Sequence, residues 1–160
     1  MKRTEQHTYT SVLNKIQGYC AYQERCTHEV YQKLEQFDIS EHDKIKIVQS
    51  LSSDGFLDDL RFARIFAGSK FRLKKWGKIK IQFELRYREI HDDFIIEALQ
   101  EISEEDYLET INVLINNKLK ELHGEDKLII REKTIKYLLS KGFELDLVHQ
   151  NLTRHLNKLT

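Results

Sequence analysis

The 160-residue chain contains no proline, only six glycines, two cysteines and one tryptophan, and no uninterrupted apolar run of 18 residues. Without proline, helix boundaries fall to polar caps and to glycine. Without a long apolar run there is no candidate membrane helix, and the opening "MKRTEQHTYTS" lacks the apolar stretch of a secretory signal. A soluble, cytoplasmic protein with no membrane partner is expected. Cys20 and Cys26 stand six apart in "CAYQERC", which matches neither a redox pair nor a zinc knuckle, so free, buried or half-buried thiols are expected. An excess of one charge sign is also missing: 26 basic side chains meet 26 acidic ones, and the neutral sum neither demands nor excludes a nucleic-acid partner.

Patterns that carry catalysis are absent too. No Walker loop, dinucleotide glycine loop, nucleophile elbow or H-E-x-x-H occurs, and seven histidines are scattered. His149 and His155, six apart on one helix, are separated by about 240° of rotation and do not share a site. Asp58 and Asp59 are adjacent, and neighbours one apart on a helix do not face one ligand. Capping of the helix that follows suits them better, so they are read as structural. No metal, cofactor or catalytic residue is expected, and the chain is read as a non-enzyme.

What is present is helical periodicity. The spacing predicts a helix from Tyr9 to Gln23, a second from Thr27 to Phe37, and a third after Ser40 with Ile45, Val48 and Leu51 inward. The pattern restarts at Asp58 or Asp59, with Phe62, Phe66, Ser69 and Leu73 on one face, widened by Ala63 and Ala67. It continues over 78–87 with Ile81 and Leu85, and over 91–102 with Ile95, Leu99 and Ile102. A third trio opens at Ser103 and ends in a stripe of Val148, Leu152, His155, Leu156 and Leu159. Gly55, Gly124 and Gly142 suit helix ends, while Gly77 stands where a helix begins.

Aligning the second helix of each trio brings Leu34, Leu85 and Leu138 into register. Val30, Ile81 and Thr134 then lie four residues earlier, and Ile39, Ile90 and Phe143 five later. The expected fold is all-α, an elongated, curved array of three tandem three-helix units spanning 1–56, 57–102 and 103–160. A less regular helical bundle is the alternative. An elongated array offers a long lateral surface and favours a binding role.

Charge is sorted along the chain. Lys70, Arg72, Lys74, Lys75, Lys78, Lys80, Arg86 and Arg88 face the single acid Glu84 in their stretch, whereas 92–109 carries eight acids and no lysine or arginine. A positive surface that meets phosphate or an acidic protein groove fits this pattern. So does an ordinary solvated face balanced by its acidic neighbour.

The segment "DGFLDDLRFARIFAGSKF", followed by "KWGKIKIQFELRYREI", resembles the core signature of the RecX family of recombinase regulators. Weaker similarity continues through "ERCTHEVYQKL" and "LLSKGFELDLV". Two positions depart from that pattern: Cys26 stands where a serine cap is expected before Glu29, and Glu89 where glycine is common before Ile90. The resemblance implies a curved modulator that binds RecA protein and lodges in the groove of its filament on single-stranded DNA. It further implies inhibition of ATPase, strand exchange and coprotease activity, with effects on recombination and the SOS response. Arg61, Arg64, Lys70, Arg72, Lys74, Lys75, Lys78, Lys80, Arg86 and Arg88 are then the candidate contacts to RecA or DNA phosphate. Phe62, Phe66, Gly77, Ile81 and Leu85 hold the helices that present them. A monomer is expected. A helical protein that binds nucleic acid without RecA, and a scaffold using the acidic segment, are the alternatives.

Overall fold

The computed structural model describes residues 8–159, which form nine helices and no strand. The first trio is α1 (Tyr9–Tyr22), α2 (Thr27–Leu34) and α3 (Glu41–Ser53). The second is α4 (Asp59–Lys74), α5 (Lys78–Tyr87) and α6 (Asp92–Gln100). The third is α7 (Glu104–Glu121), α8 (Lys127–Ser140) and α9 (Leu145–Lys158). Within each trio every helix packs on the other two, and α4 against α6 is the most extensive of these contacts.

The starts follow the caps expected from sequence. The Asp43 N–H donates to Ser40 Oγ at 3.1 Å, Arg61 N–H to Asp58 Oδ1 at 2.9 Å, and Asp106 N–H to Ser103 Oγ at 3.1 Å. Asp59 has a different task. Its Oδ1 accepts from the Thr27 N–H at 2.7 Å and the Thr27 hydroxyl at 3.0 Å, so a carboxylate on α4 caps α2. That help falls where Cys26 offers only a thiol, a poorer cap than a hydroxyl. The Glu29 carboxylate supplies the other half by accepting from the Cys26 N–H at 3.3 Å.

The aligned positions of the second helices land in the core: Val30, Ile81 and Thr134, and Leu34, Leu85 and Leu138, have no exposed surface. Buried Thr134 satisfies its hydroxyl on the Ile130 carbonyl at 2.7 Å. After α5 and α8 the chain turns back identically. Ile90 N–H reaches Leu85 O and Phe143 N–H reaches Leu138 O, with Glu89 at φ +55° and Gly142 at φ +93° in the left-handed region. Glu89 therefore adopts the backbone that glycine would.

Three expected inward positions are corrected. Ile45 is exposed, because α3 turns Lys44, Ile47, Val48 and Leu51 inward. Lys44 buries its stem and sets its ammonium on Glu41 at 2.8 Å and Glu35 at 3.0 Å. Leu73 is 77% exposed, because α4 is rotated to press Ala63 and Ala67 into the core, which carries Phe71 inward and leaves Phe66 half-buried. Small side chains there suit the extensive contact with α6. Leu159 is also exposed, at the last turn of the stripe.

Two cores result among the described residues. One lies inside α1–α3, around Ile16, Leu34, Ile47 and Leu51. The other runs without interruption from Cys26 through α4–α6 to α9. The first joint is made of side chains: the Asp59 cap, Arg61 Nε to Glu24 at 2.8 Å, Arg88 to Glu29 at 3.7 Å, and His28 Nδ1 to Glu89 at 3.0 Å. The second is partly backbone. Gly77 N–H donates to Lys141 O at 2.8 Å and Ile79 N–H to Gly142 O at 3.0 Å. A Cβ on Gly77 would run into the Gly142 carbonyl, and one on Gly142 into Lys80. Glycine on both sides is what lets the two main chains touch. Tyr107 completes this joint, accepting the Lys78 N–H at 2.9 Å while donating to Glu144 at 2.6 Å.

Candidate interaction surface

The ten basic side chains do not form one free rim. Four arginines are engaged within the molecule. Arg61 holds Glu24 and the Gly55 carbonyl, and Arg64 holds Glu101 at 2.6 Å and Glu97 at 3.2 Å. Arg86 holds Asp92 at 3.1 Å, and Arg88 holds Glu84 at 2.9 Å. The charge reversal in the sequence is partly explained by these pairs, since α6 supplies acids to arginines of α4 and α5.

The lysines are arranged otherwise. α4 ends with Lys75 at φ +55°, where the Lys75 and Trp76 N–H groups return to the Phe71 and Lys70 carbonyls. That sharp turn folds Trp76 back onto α4, edge-on to Phe66 with ring centres 6.3 Å apart. Lys70 Nζ then lies 4.9 Å from the Trp76 ring and 5.4 Å from Phe66, Lys80 Nζ 4.6 Å from Trp76, and the Arg88 guanidinium 4.8 Å from Phe66. Cations and rings thus alternate in the order Arg88, Phe66, Lys70, Trp76, Lys80. Each contact contributes about 0.5–1 kcal/mol at an exposed site. Two ammonium groups share one indole, and an anion placed between them relieves their mutual repulsion.

Lys78 lies 4.7 Å from the Tyr107 ring, whose phenol is pushed well above its ordinary range by burial and by the Glu144 hydrogen bond. Arg72, Lys74 and Lys75 are exposed, with no ion pair among the described residues. Arg72 and Lys75 line an open groove together with Asp106, Glu109, Phe71, Val113 and Leu114. The third trio adds Lys141, whose ammonium donates to the Lys74 carbonyl at 3.1 Å. Sequence reasoning passed over Lys141 because it stands 67 residues away. The register of the repeats held the signal, since Lys141 follows Leu138 by the interval that separates Arg88 from Leu85.

Gly77, Ile81 and Leu85 sit beneath this surface and have little or no exposure, and Phe62 is buried beside half-buried Phe66 with ring centres 5.7 Å apart. The cysteines are remote from any reactive setting. Burial pushes the Cys26 thiol up to about 11 and raises Cys20 as well, so both are protonated near neutral pH. No group of three or more His, Cys, Asp or Glu capable of holding a metal occurs among the described residues. No helix there is long and apolar enough to cross a membrane.

A family model described as the second three-helix domain of RecX matches residues 58–99, the segment from the α4 cap almost to the end of α6. The regulatory protein RecX of Prosthecochloris aestuarii is 32% identical over 140 residues, covering 88% of this chain and 90% of the relative. The chain belongs to the RecX family. The RecX regulatory protein of Lactobacillus johnsonii is 28% identical over 135 residues, but those cover 84% of this chain and 50% of the relative. Against several RecX relatives of this kind the chain spans about half their length. In fold, the chain is similar to the crystal structure of RecX from Lactobacillus salivarius. The TM-score is 0.83 at 22% identity, with 91% of this chain and 95% of the other covered. These relatives are named as regulatory proteins rather than as enzymes.

Proposed function

We propose that this RecX-family chain is a non-enzymatic, cytoplasmic regulator that acts as a monomer. It binds RecA protein and the filament RecA forms on single-stranded DNA. Binding restrains ATPase, strand exchange and coprotease activity and so modulates recombination, DNA repair and the SOS response. The chain divides functionally at 1–56, 57–102 and 103–160, with the central unit carrying the contact surface.

The observation that carries the reading is the line of lysines and rings around Trp76, which lies in the segment matched by the family model. Lys70, Arg72, Lys74, Lys75, Lys78 and Lys80 are the working contacts, the lysines as point charges and Arg72 as a planar fork suited to bidentate phosphate or carboxylate contacts. Arg61, Arg64, Arg86 and Arg88 act less directly, because their guanidinium groups are already paired inside the molecule.

An ATPase time course with preformed RecA filaments tests the reading. Wild-type chain is expected to slow hydrolysis, and the double variant Lys70→Gln, Lys80→Gln to do so less at equal concentration. Undiminished hydrolysis at saturating wild-type chain would refute it. The same Lys–Trp–Lys arrangement also favours a second reading, direct nucleic-acid binding without RecA. Tighter binding to naked than to RecA-coated single strands at one salt concentration would support that alternative. A scaffold built on the acidic segment loses support, since Asp92, Glu97 and Glu101 are committed to arginines of the same unit.

A further inference from the structure

The helix beside the lysine cluster carries a second feature that phosphate binding leaves unused. α5 buries Ile81 and Leu85 completely, yet Ile79, Phe83 and Tyr87 on its opposite face are 51%, 67% and 70% exposed. They stand at i, i+4 and i+8, which at 3.6 residues per turn makes a single outward stripe along the whole helix. Burial inside the chain does not account for two exposed aromatic rings in line.

We propose that this outward face of α5 is a protein-docking surface, with Phe83 and Tyr87 as its anchors, which fits an apolar groove with an acidic rim on the partner. The inference rests on the reading of the chain as a RecA regulator, and RecA protein is the partner tested.

Charge chooses the occupant. By helical rotation Arg86 flanks the stripe on one side and Lys80 on the other. Glu84, the acid of α5, is drawn to Arg88 at 2.9 Å, and Arg88 lies toward the inner side of the helix. The rim presented outward is positive at Lys80, while Arg86 shares an exposed pair with Asp92 for which carboxylates around a partner groove can compete. A second copy fits less well, since Glu84 and Asp92 beside the stripe are already paired within the chain and neither is left to receive Lys80. Size argues likewise. The three side chains offer on the order of 400 Å², about half of what each partner of a standard stable interface contributes. That area suits an anchor within a larger contact, in which aromatic side chains carry most of the energy. A nucleic-acid strand fits less well, because Ile79 offers no stacking plane at one end and the Asp92 carboxylate lies on Arg86 at the other. Lys80 belongs both to the stripe's rim and to the Trp76 ladder, so protein and phosphate contacts would adjoin.

The test compares wild-type chain, Phe83→Ser with Tyr87→Ser, and Lys70→Gln with Lys80→Gln. Each is titrated against RecA without DNA, RecA-coated single strands and naked single strands at several salt concentrations, with circular dichroism as a check on folding. The stripe variant is expected to keep its helicity and to lose tenfold or more in affinity for RecA in both RecA-containing arms. Its salt slope and its binding to naked strands should not change. Equal affinity of stripe variant and wild type for RecA overturns the docking surface while leaving the regulatory function intact. An equal loss on naked strands overturns it in favour of a nucleic-acid platform. A sedimentation shift confined to wild type, without a RecA effect, overturns it in favour of self-association. Failure of wild-type chain to bind RecA in either arm removes the regulatory reading and this inference together.

Discussion

Glu89 and Cys26 each stand at a position that another residue type would fill more easily, glycine at the left-handed turn and a hydroxyl at the cap, and each has a physical signature. Glu89 holds a left-handed φ of +55°, a conformation that costs a non-glycine residue about 1–2 kcal/mol. Its contact with His28 Nδ1 at 3.0 Å leaves the carboxylate largely exposed and returns little. Glu89→Gly is therefore expected to raise stability by about 0.5 kcal/mol in urea unfolding, after the added freedom of the unfolded glycine is deducted. Cys26 couples stability to alkaline pH. Its thiol titrates at about 11 when folded, chiefly because burial disfavours the thiolate. An unfolded thiol titrates at about 8.5. A raised folded value means that the stabilisation is complete below the unfolded value and is lost as pH climbs to about 11. Denaturation midpoints measured from pH 8 to 11 should fall in the wild-type chain and fall less in Cys26→Ser, which has nothing to ionise there.

At the scale of the element, the caps and the repeat register were legible in the sequence, whereas helix rotation was not. Ser40, Asp58 and Ser103 cap as their types imply, and Leu34, Leu85 and Leu138 reach the core together. Leu73 and Ile45 were misplaced because hydropathy alone weights leucine and isoleucine above alanine and lysine. The space between α4 and α6 admits Ala63 and Ala67, and the Lys44 stem buries as an aliphatic chain. The sequence offered both a free basic surface and one balanced by its acidic neighbour, and a linear count of charges does not reveal which arginines α6 pairs. Asp59 shows the same limit, since its hydrogen-bond partner lies 32 residues earlier. Asp59→Ala should cost about 1–2 kcal/mol, because it strips the cap of α2 without altering that of α4. A double-mutant cycle with Thr27→Val should show non-additivity above about 0.5 kcal/mol.

Across the whole molecule, two cores serve three trios, and cooperativity should follow the cores. Amides of α1–α3 are expected to exchange through a sub-global opening of lower free energy than those of α4–α9, as native-state hydrogen exchange will measure. Binding should carry the same large-scale imprint. Replacing Lys70 and Lys80 by glutamine should reduce the salt slope of filament binding by about 1.4, if each releases counterions from a single strand. The Gly77–Gly142 joint is the most sensitive point of the larger body. Gly142→Ala needs both a left-handed alanine and a displaced Lys80 backbone, and should cost about 2 kcal/mol or more. The two joints therefore differ in compliance. Where main chain bonds directly to main chain over a shared core, a bending load finds no rotatable side chain to absorb it. Where a carboxylate and a few ion pairs span the gap, small changes in rotamer take up the load. A chain of this design, pressed against a surface that changes shape, would flex between α3 and α4 and stay stiff between α6 and α7.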